Sequence, residues 1–108
     1  MYKYNIYVGI FDKDTKQQEI SNQDFLNTVR KVLRLNKINN YTIYKGKGHY
    51  TSQSMVVTEP TIIIEIVDYI DYCPKYIETL KYQLRTELNQ ESVLITKQEV
   101  EILWLQNM

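Results

Sequence analysis

Hydrophobic and polar residues alternate strictly from Tyr2 to Phe11, with Tyr2, Tyr4, Ile6, Val8 and Ile10 on one face and Lys3, Asn5, Tyr7, Gly9 and Phe11 on the other. A period of two predicts a first strand. Gly9 puts no side chain on the second face, which marks either a notch beside Tyr7 and Phe11 or a bulge. The densest apolar run is Thr61-Ile62-Ile63-Ile64-Glu65-Ile66-Val67-Asp68. Isoleucine is stiff at χ1 and favours strands, so this run predicts a central strand with both faces at least partly covered.

Between these strands the period changes. Phe25, Val29, Val32 and Leu33 fall at helical spacing behind Ser21, an N-cap residue with Asp24 three positions on. The helix ends at the asparagine-rich Asn36 to Asn40, and its Arg30, Lys31, Arg34 and Lys37 read as solvated helix surface. Tyr41 to Tyr50 resumes strand character with Gly46 and Gly48 inside it, which predicts a twisted, bulged or edge strand. A polar turn at Thr51 to Ser54 leads to Met55 to Glu59, and Pro60, which has no donor, places an edge or a strand start there.

A second helix is predicted from Pro74, with Asp71 or Cys73 near its cap and Ile77, Leu80, Leu84 and Leu88 as its buried stripe. Val93, Leu94 and Ile95 open the last strand. The alternation of Val100, Ile102 and Trp104 predicts either one bulged strand or two short ones. The order is β-α-β-β-α-β, an α+β, ferredoxin-like pattern in a single domain over residues 1–108, with the first and central strands adjacent and two helices on one face of an antiparallel sheet. Such a chain buries roughly 65% of its unfolded surface, enough for one core.

Composition narrows the function classes. Thirteen basic and thirteen acidic side chains cancel, leaving no long-range field to collect phosphate backbones, so nucleic-acid binding is disfavoured. The single cysteine, Cys73, cannot form an internal disulfide, and the absence of a signal peptide or a membrane-length apolar run gives the expectation of a cytoplasmic protein away from membranes. No Cys/His cluster offers a metal set and no motif implies a cofactor. Ten tyrosines against two phenylalanines place many hydroxyls at edges or interfaces, where they find partners.

The candidate chemistry is sparse. Lys45-Gly46-Lys47-Gly48-His49-Tyr50 has glycines and lysines but no following helix, so structural glycine use outweighs a phosphate loop. His49 is the only histidine and could act as a base with Tyr44, Tyr50, Glu59 or Glu65 across a hairpin. Tyr69, Tyr72 and Tyr76 cluster where the central strand enters the second helix, and Tyr72 and Tyr76 could stack on a planar ligand. Gln90-Glu91-Ser92, at a helix-to-strand join, suits capping. The second sheet face, with Tyr7, Phe11, Ile63, Glu65 and Val67, is too apolar to leave in water and predicts homo-oligomerisation through the sheet.

Tyr4-Asn5-Ile6-Tyr7-Val8-Gly9, Gly46-Lys47-Gly48-His49-Tyr50, Glu59 and Asn89-Gln90-Glu91-Ser92-Val93-Leu94 together resemble a small bacterial and phage family catalogued as a domain of unknown function. Tyr50 matches that family's aromatic after the glycine pair, and Gln90, Glu91 and Ser92 match its glutamine-glutamate-serine step. The resemblance implies a stand-alone ferredoxin-like domain carried on mobile elements, and no reaction.

The leading expectation is therefore a non-enzymatic, homo-oligomeric module that binds a small planar or nucleotide-like ligand or a host protein. On a mobile element it would interfere with or sequester a host signal. Its candidate ligand-binding residues are Tyr7, Tyr44, His49, Tyr50, Glu65, Tyr72 and Tyr76. The alternative is a small dimeric ferredoxin-like enzyme in which His49 and a tyrosine or Glu65 transfer a proton.

Overall fold

The central run and the first alternating segment pair directly in the computed structural model, which describes residues 1–68 and 74–103. In chain order the elements are β1 (Tyr2–Gly9), α1 (Asn22–Leu35), β2 (Thr42–Ser52), β3 (Met55–Asp68), α2 (Pro74–Glu87) and β4 (Leu94–Glu99). They build one antiparallel sheet of order β2-β3-β1-β4, the ferredoxin-like arrangement. Ile6, Val8, Ile62, Ile64 and Ile66 point to the helix side, where they pack with Phe25, Val29, Val32 and Leu33 of α1 and Leu80 and Leu84 of α2. Each of these side chains contributes about 1.5–3 kcal/mol on burial, so this layer holds the fold.

Local signals explain the helix ends. Ser21 Oγ accepts the N–H of Asp24 at 3.1 Å, as an N-cap should. The chain leaves α1 through Lys37, at φ 61°, and the Asn36 carboxamide donates to the Val32 carbonyl and to Gln83 of α2 at 2.6 Å. Pro74 is the first residue of α2, as its missing N–H favours. The proposed capping residues Asp71 and Cys73 lie outside the described residues.

The two glycines of β2 produce no bulge. Its register with β3 is unbroken from Thr42↔Glu65 to Ser52↔Met55, and β2 is the sheet edge. The hairpin closes through Gln53 and Ser54, both at positive φ, the conformation that a two-residue turn of matching twist demands. Gly9 likewise sits in regular pairing with Thr61, so it forms the notch and not the bulge.

Pro60 is not the start of a strand but lies within β3. Its carbonyl accepts the N–H of Ile10 at 3.1 Å, and in an antiparallel strand a residue's N and O point to the same side. The donor that proline lacks therefore faces β1, costs the last rung of that ladder, and accounts for β1 ending at Gly9. From Glu59 back to Met55, β3 pairs with β2 alone.

The tail differs from the expectation of one bulged strand or two short ones. β4 ends at Glu99, opposite Tyr2, with one further bond from the Val100 N–H to the Met1 carbonyl. Trp104 lies outside the described residues.

Candidate active site

The sheet face turned away from the helices carries the odd positions of β1 and β3 and the even positions of β2. Three glycines fall on it. A Cβ at Gly46 would come within 2.8 Å of Ile63 Cδ1, one at Gly48 within 2.6 Å of Thr61 Oγ1, and one at Gly9 would collide with the Glu59 carboxylate. These bare positions give Ile63, Thr61 and Glu59 room to lie across the sheet, and two of them, Gly9 and Gly48, border a hollow where β1 stops. A cavity of about 790 Å³ opens there between the end of β1, the β2–β3 hairpin and the turn from α2 to β4. That is the size of a small-molecule site.

Glu59 is the centre of its floor. The residue is 6% exposed, an unusual position for a carboxylate, and such burial requires donors. Phe11 N–H donates to Glu59 Oε2 at 2.8 Å, and the Tyr50 hydroxyl forms a second hydrogen bond to the carboxylate. Two donors leave further acceptor positions on the carboxylate for a ligand. Partial burial pushes the Tyr50 phenol up to about 12, reinforced by its bond to Glu59 and by the negative charges of Glu59 and Glu91. Tyr50 therefore stays a neutral donor.

The opposite wall comes from the turn after α2. Gln90, also 6% exposed, donates through Nε2 to the carbonyls of Phe11 at 3.0 Å and Leu88 at 3.2 Å. Asn89 donates to Asp12 and Asp14, and that bond to Asn89, with backbone N–H groups of Asp14 and Thr15, holds the Asp12 carboxyl below the ordinary range. Tyr7, Phe11, Val57 and Met55 supply aromatic and aliphatic walls.

Of the residues singled out from sequence, Tyr7, His49 and Tyr50 border this cavity. His49 is exposed, with Nδ1 3.0 Å from the Thr58 hydroxyl. Glu65 shares the open face but lies six residues along β3 from Glu59, about 20 Å away at strand spacing, and sits 3.8 Å from Lys3 Nζ. The structure thus does not bring Glu65 together with His49. Tyr44, opposite Ile63, is outside the cavity, and so is Tyr76 in the first turn of α2. Tyr69 and Tyr72 lie outside the described residues. Sequence reasoning did not single out Gly9, Phe11 and Asn89 as parts of one site, and it assigned Gln90 only to capping. The pairing of a floor glycine with a strand carboxylate followed by proline was the available signal.

Among the described residues no cluster of three or more His, Cys, Asp or Glu could hold a metal, and no helix is long and apolar enough to cross a membrane.

No family model and no curated protein sequence matches the chain, so the small ferredoxin-like fold of the resemblance is found but the catalogued domain family is not shown. Solved structures do match. One is a phage SAM lyase in complex with S-methyl-5′-thioadenosine, with a TM-score of 0.71 and 25% identity over 91% of this chain and 80% of that one. Another is a phage SAM lyase in the apo state, with a TM-score of 0.69 and 23% identity over 97% of this chain and 92% of that one. The similar folds thus belong to phage proteins, and to an enzyme. This overturns the expectation of a non-enzymatic binding module that sequesters a signal. It favours the alternative of a small ferredoxin-like enzyme.

Proposed function

We propose that the chain is a lyase acting on S-adenosylmethionine, with the cavity over Glu59 as its active site. The observation that carries this reading is a buried carboxylate, held by Phe11 N–H and Tyr50, at the floor of an aromatic-walled cavity in a chain similar over 91% of its length to the lyase bound to S-methyl-5′-thioadenosine. Tyr7, Phe11 and Tyr50 offer faces on which an adenine ring can stack.

The chemistry follows from the bond that must break. Methylthioadenosine is what remains when the bond between the sulfonium sulfur and Cγ of the amino-acid arm is cleaved and its electron pair stays on sulfur. A lyase adds no water, so Cγ must gain its new bond within the arm. The arm's own carboxylate supplies it, closing a lactone without a proton transfer.

Such a reaction needs no acid–base pair, because the substrate brings both nucleophile and leaving group. The protein's task is to fold the arm into an attack geometry and keep water out. Glu59 suits an anchor for the arm's ammonium group, whose charge persists through the reaction while the sulfonium charge disappears. The apolar walls favour that loss of charge separation.

The homo-oligomer expected from the apolar sheet face belongs to the same proposal. Leu94 and Tyr44 remain exposed on that face and would be covered by a second copy. We place the enzyme in the cytoplasm, where its substrate is made.

Incubating the purified protein with S-adenosylmethionine in H₂¹⁸O and separating the products by mass spectrometry tests the reaction. Methylthioadenosine must form well above the spontaneous rate, together with an unlabelled lactone. Release no faster than in buffer, or ¹⁸O incorporated during turnover, would sink it.

A further inference from the structure

Phe11, which gives Glu59 its backbone hydrogen bond, is the first residue that the β1 ladder no longer holds. The ladder ends at Gly9, and the last contact to β3 is from the Ile10 N–H to the Pro60 carbonyl. What fixes the next residues comes from the far end of the chain. Asn89 Nδ2 donates to Asp12 Oδ1 at 2.7 Å and to Asp14 Oδ2 at 2.9 Å, and the Asn89 carbonyl accepts the N–H of Lys13 at 3.0 Å.

Asp12 Oδ2 in turn accepts the N–H groups of Asp14 at 2.9 Å and Thr15 at 3.2 Å. Both oxygens of Asp12 are thus engaged, one by the loop itself and one by a residue 77 positions away. Asn89 holds φ at 49°, a left-handed conformation that asparagine tolerates better than most residues. That conformation lets one residue offer its carbonyl and its carboxamide to the same loop.

We propose that Asn89 and Asp12 are a positioning pair, which sets the place from which Phe11 presents its N–H to the Glu59 carboxylate. The inference rests on reading the cavity as the catalytic site. Neither residue needs to touch the substrate. Gln90 grips the Phe11 carbonyl from the same turn, so the pair and Gln90 hold both sides of one short segment. Asp12 and Asn89 are side by side with matched polarity, acceptor to donor, and that matching makes the pair testable by exchange.

In Asp12→Asn a single carboxamide must face both the Asn89 donor and the Asp14 and Thr15 N–H donors. One side then meets donor with donor. In Asn89→Asp the donor is gone and a third carboxylate stands beside Asp12 and Asp14. The double exchange, Asp12→Asn with Asn89→Asp, made on an Asp14→Asn background so that no second carboxylate faces the one at position 89, restores a donor facing an acceptor and leaves an oxygen for the loop N–H groups.

Amide hydrogen exchange of Phe11, read by NMR, is the primary measurement, with kcat and KM for methylthioadenosine release beside it. Each single variant is expected to speed Phe11 exchange about tenfold or more without lowering protection in the β1–β3 core. It is expected to lower kcat about tenfold with a smaller change in KM, and the double exchange should recover most of both. Unchanged Phe11 exchange in both single variants, or a double exchange no better than the worse single one, overturns the inference. If the unaltered protein releases no methylthioadenosine, the reading of the reaction fails while amide exchange still decides the positioning role.

Discussion

The carboxylate of Glu59 occupies the space that a side chain at Gly9 would fill. One residue's lack of a side chain is what lets the other turn inward, flat against the end of β1, within reach of Phe11 N–H. Gly9→Ala should therefore push the carboxylate off its donor. We expect a loss of about 1–3 kcal/mol in urea unfolding, typical of overpacking, and a fall in methylthioadenosine formation out of proportion to it. Wild-type turnover in a folded Gly9→Ala protein would show that the carboxylate's place is irrelevant.

Charge at position 59 is separable from its shape. Glu59→Gln keeps the volume and an acceptor for Phe11 N–H, and loses the anion proposed to hold the arm's ammonium group. Turnover should drop about 10²-fold, the scale on which single preorganised polar groups contribute. Methylthioadenosine lacks the ammonium, so its affinity by calorimetry should change little. A product affinity that collapsed along with turnover would reassign Glu59 to the nucleoside.

His49 marks the boundary with a proton-transfer mechanism. Ring closure by the substrate's own carboxylate moves no proton, and the histidine ring is exposed beside Thr58. His49→Ala is expected to keep kcat within about threefold and stability within about 0.5 kcal/mol, as for ordinary surface substitutions. A lost acidic limb in the pH profile of the variant would restore His49 as a base.

Tyr50 makes a prediction at the alkaline end. Its folded pKa, raised to about 12 from the ordinary 10.0, means that the folded protein favours the neutral phenol. That contribution is fully present below about pH 10 and is lost as pH rises towards 12. Tyr50 is 44% exposed, so solvent screening keeps the contribution small. Phenolate absorbance of the wild type should contain a late-titrating contribution that is missing from Tyr50→Phe.

The elements were legible because their causes are local. Ser21 and Asp24 cap α1 three residues apart, and Phe25, Val29, Val32 and Leu33 make a stripe that only a helix buries. The isoleucine run could only be a covered strand. The site was less legible because it joins segments far apart: Phe11 reaches Glu59 across 48 positions and Gln90 reaches Phe11 across 79.

Alternation assigned Tyr7 and Glu65 correctly to one face but said nothing of their distance along the strand. Glu65 was therefore a candidate 20 Å from the hollow, on the order set by strand rise. The expectation of a non-enzyme rested on sparse candidate chemistry, and the proposed cyclisation of a sulfonium substrate calls on neither an acid nor a base.

Pro60 decides what kind of molecule can occupy the hollow. Where β1 stops, the inner flank of a hairpin would ordinarily present a free row of donors and acceptors, an invitation for a passing peptide to add itself as a strand. Proline removes the donor at the first vacant rung, and the Glu59 carboxylate, turned over Gly9, stands in the path of any chain that would follow. Extended polypeptides are thereby turned away from an apolar cleft that would otherwise suit them. The compact sulfonium substrate proposed above meets neither obstacle.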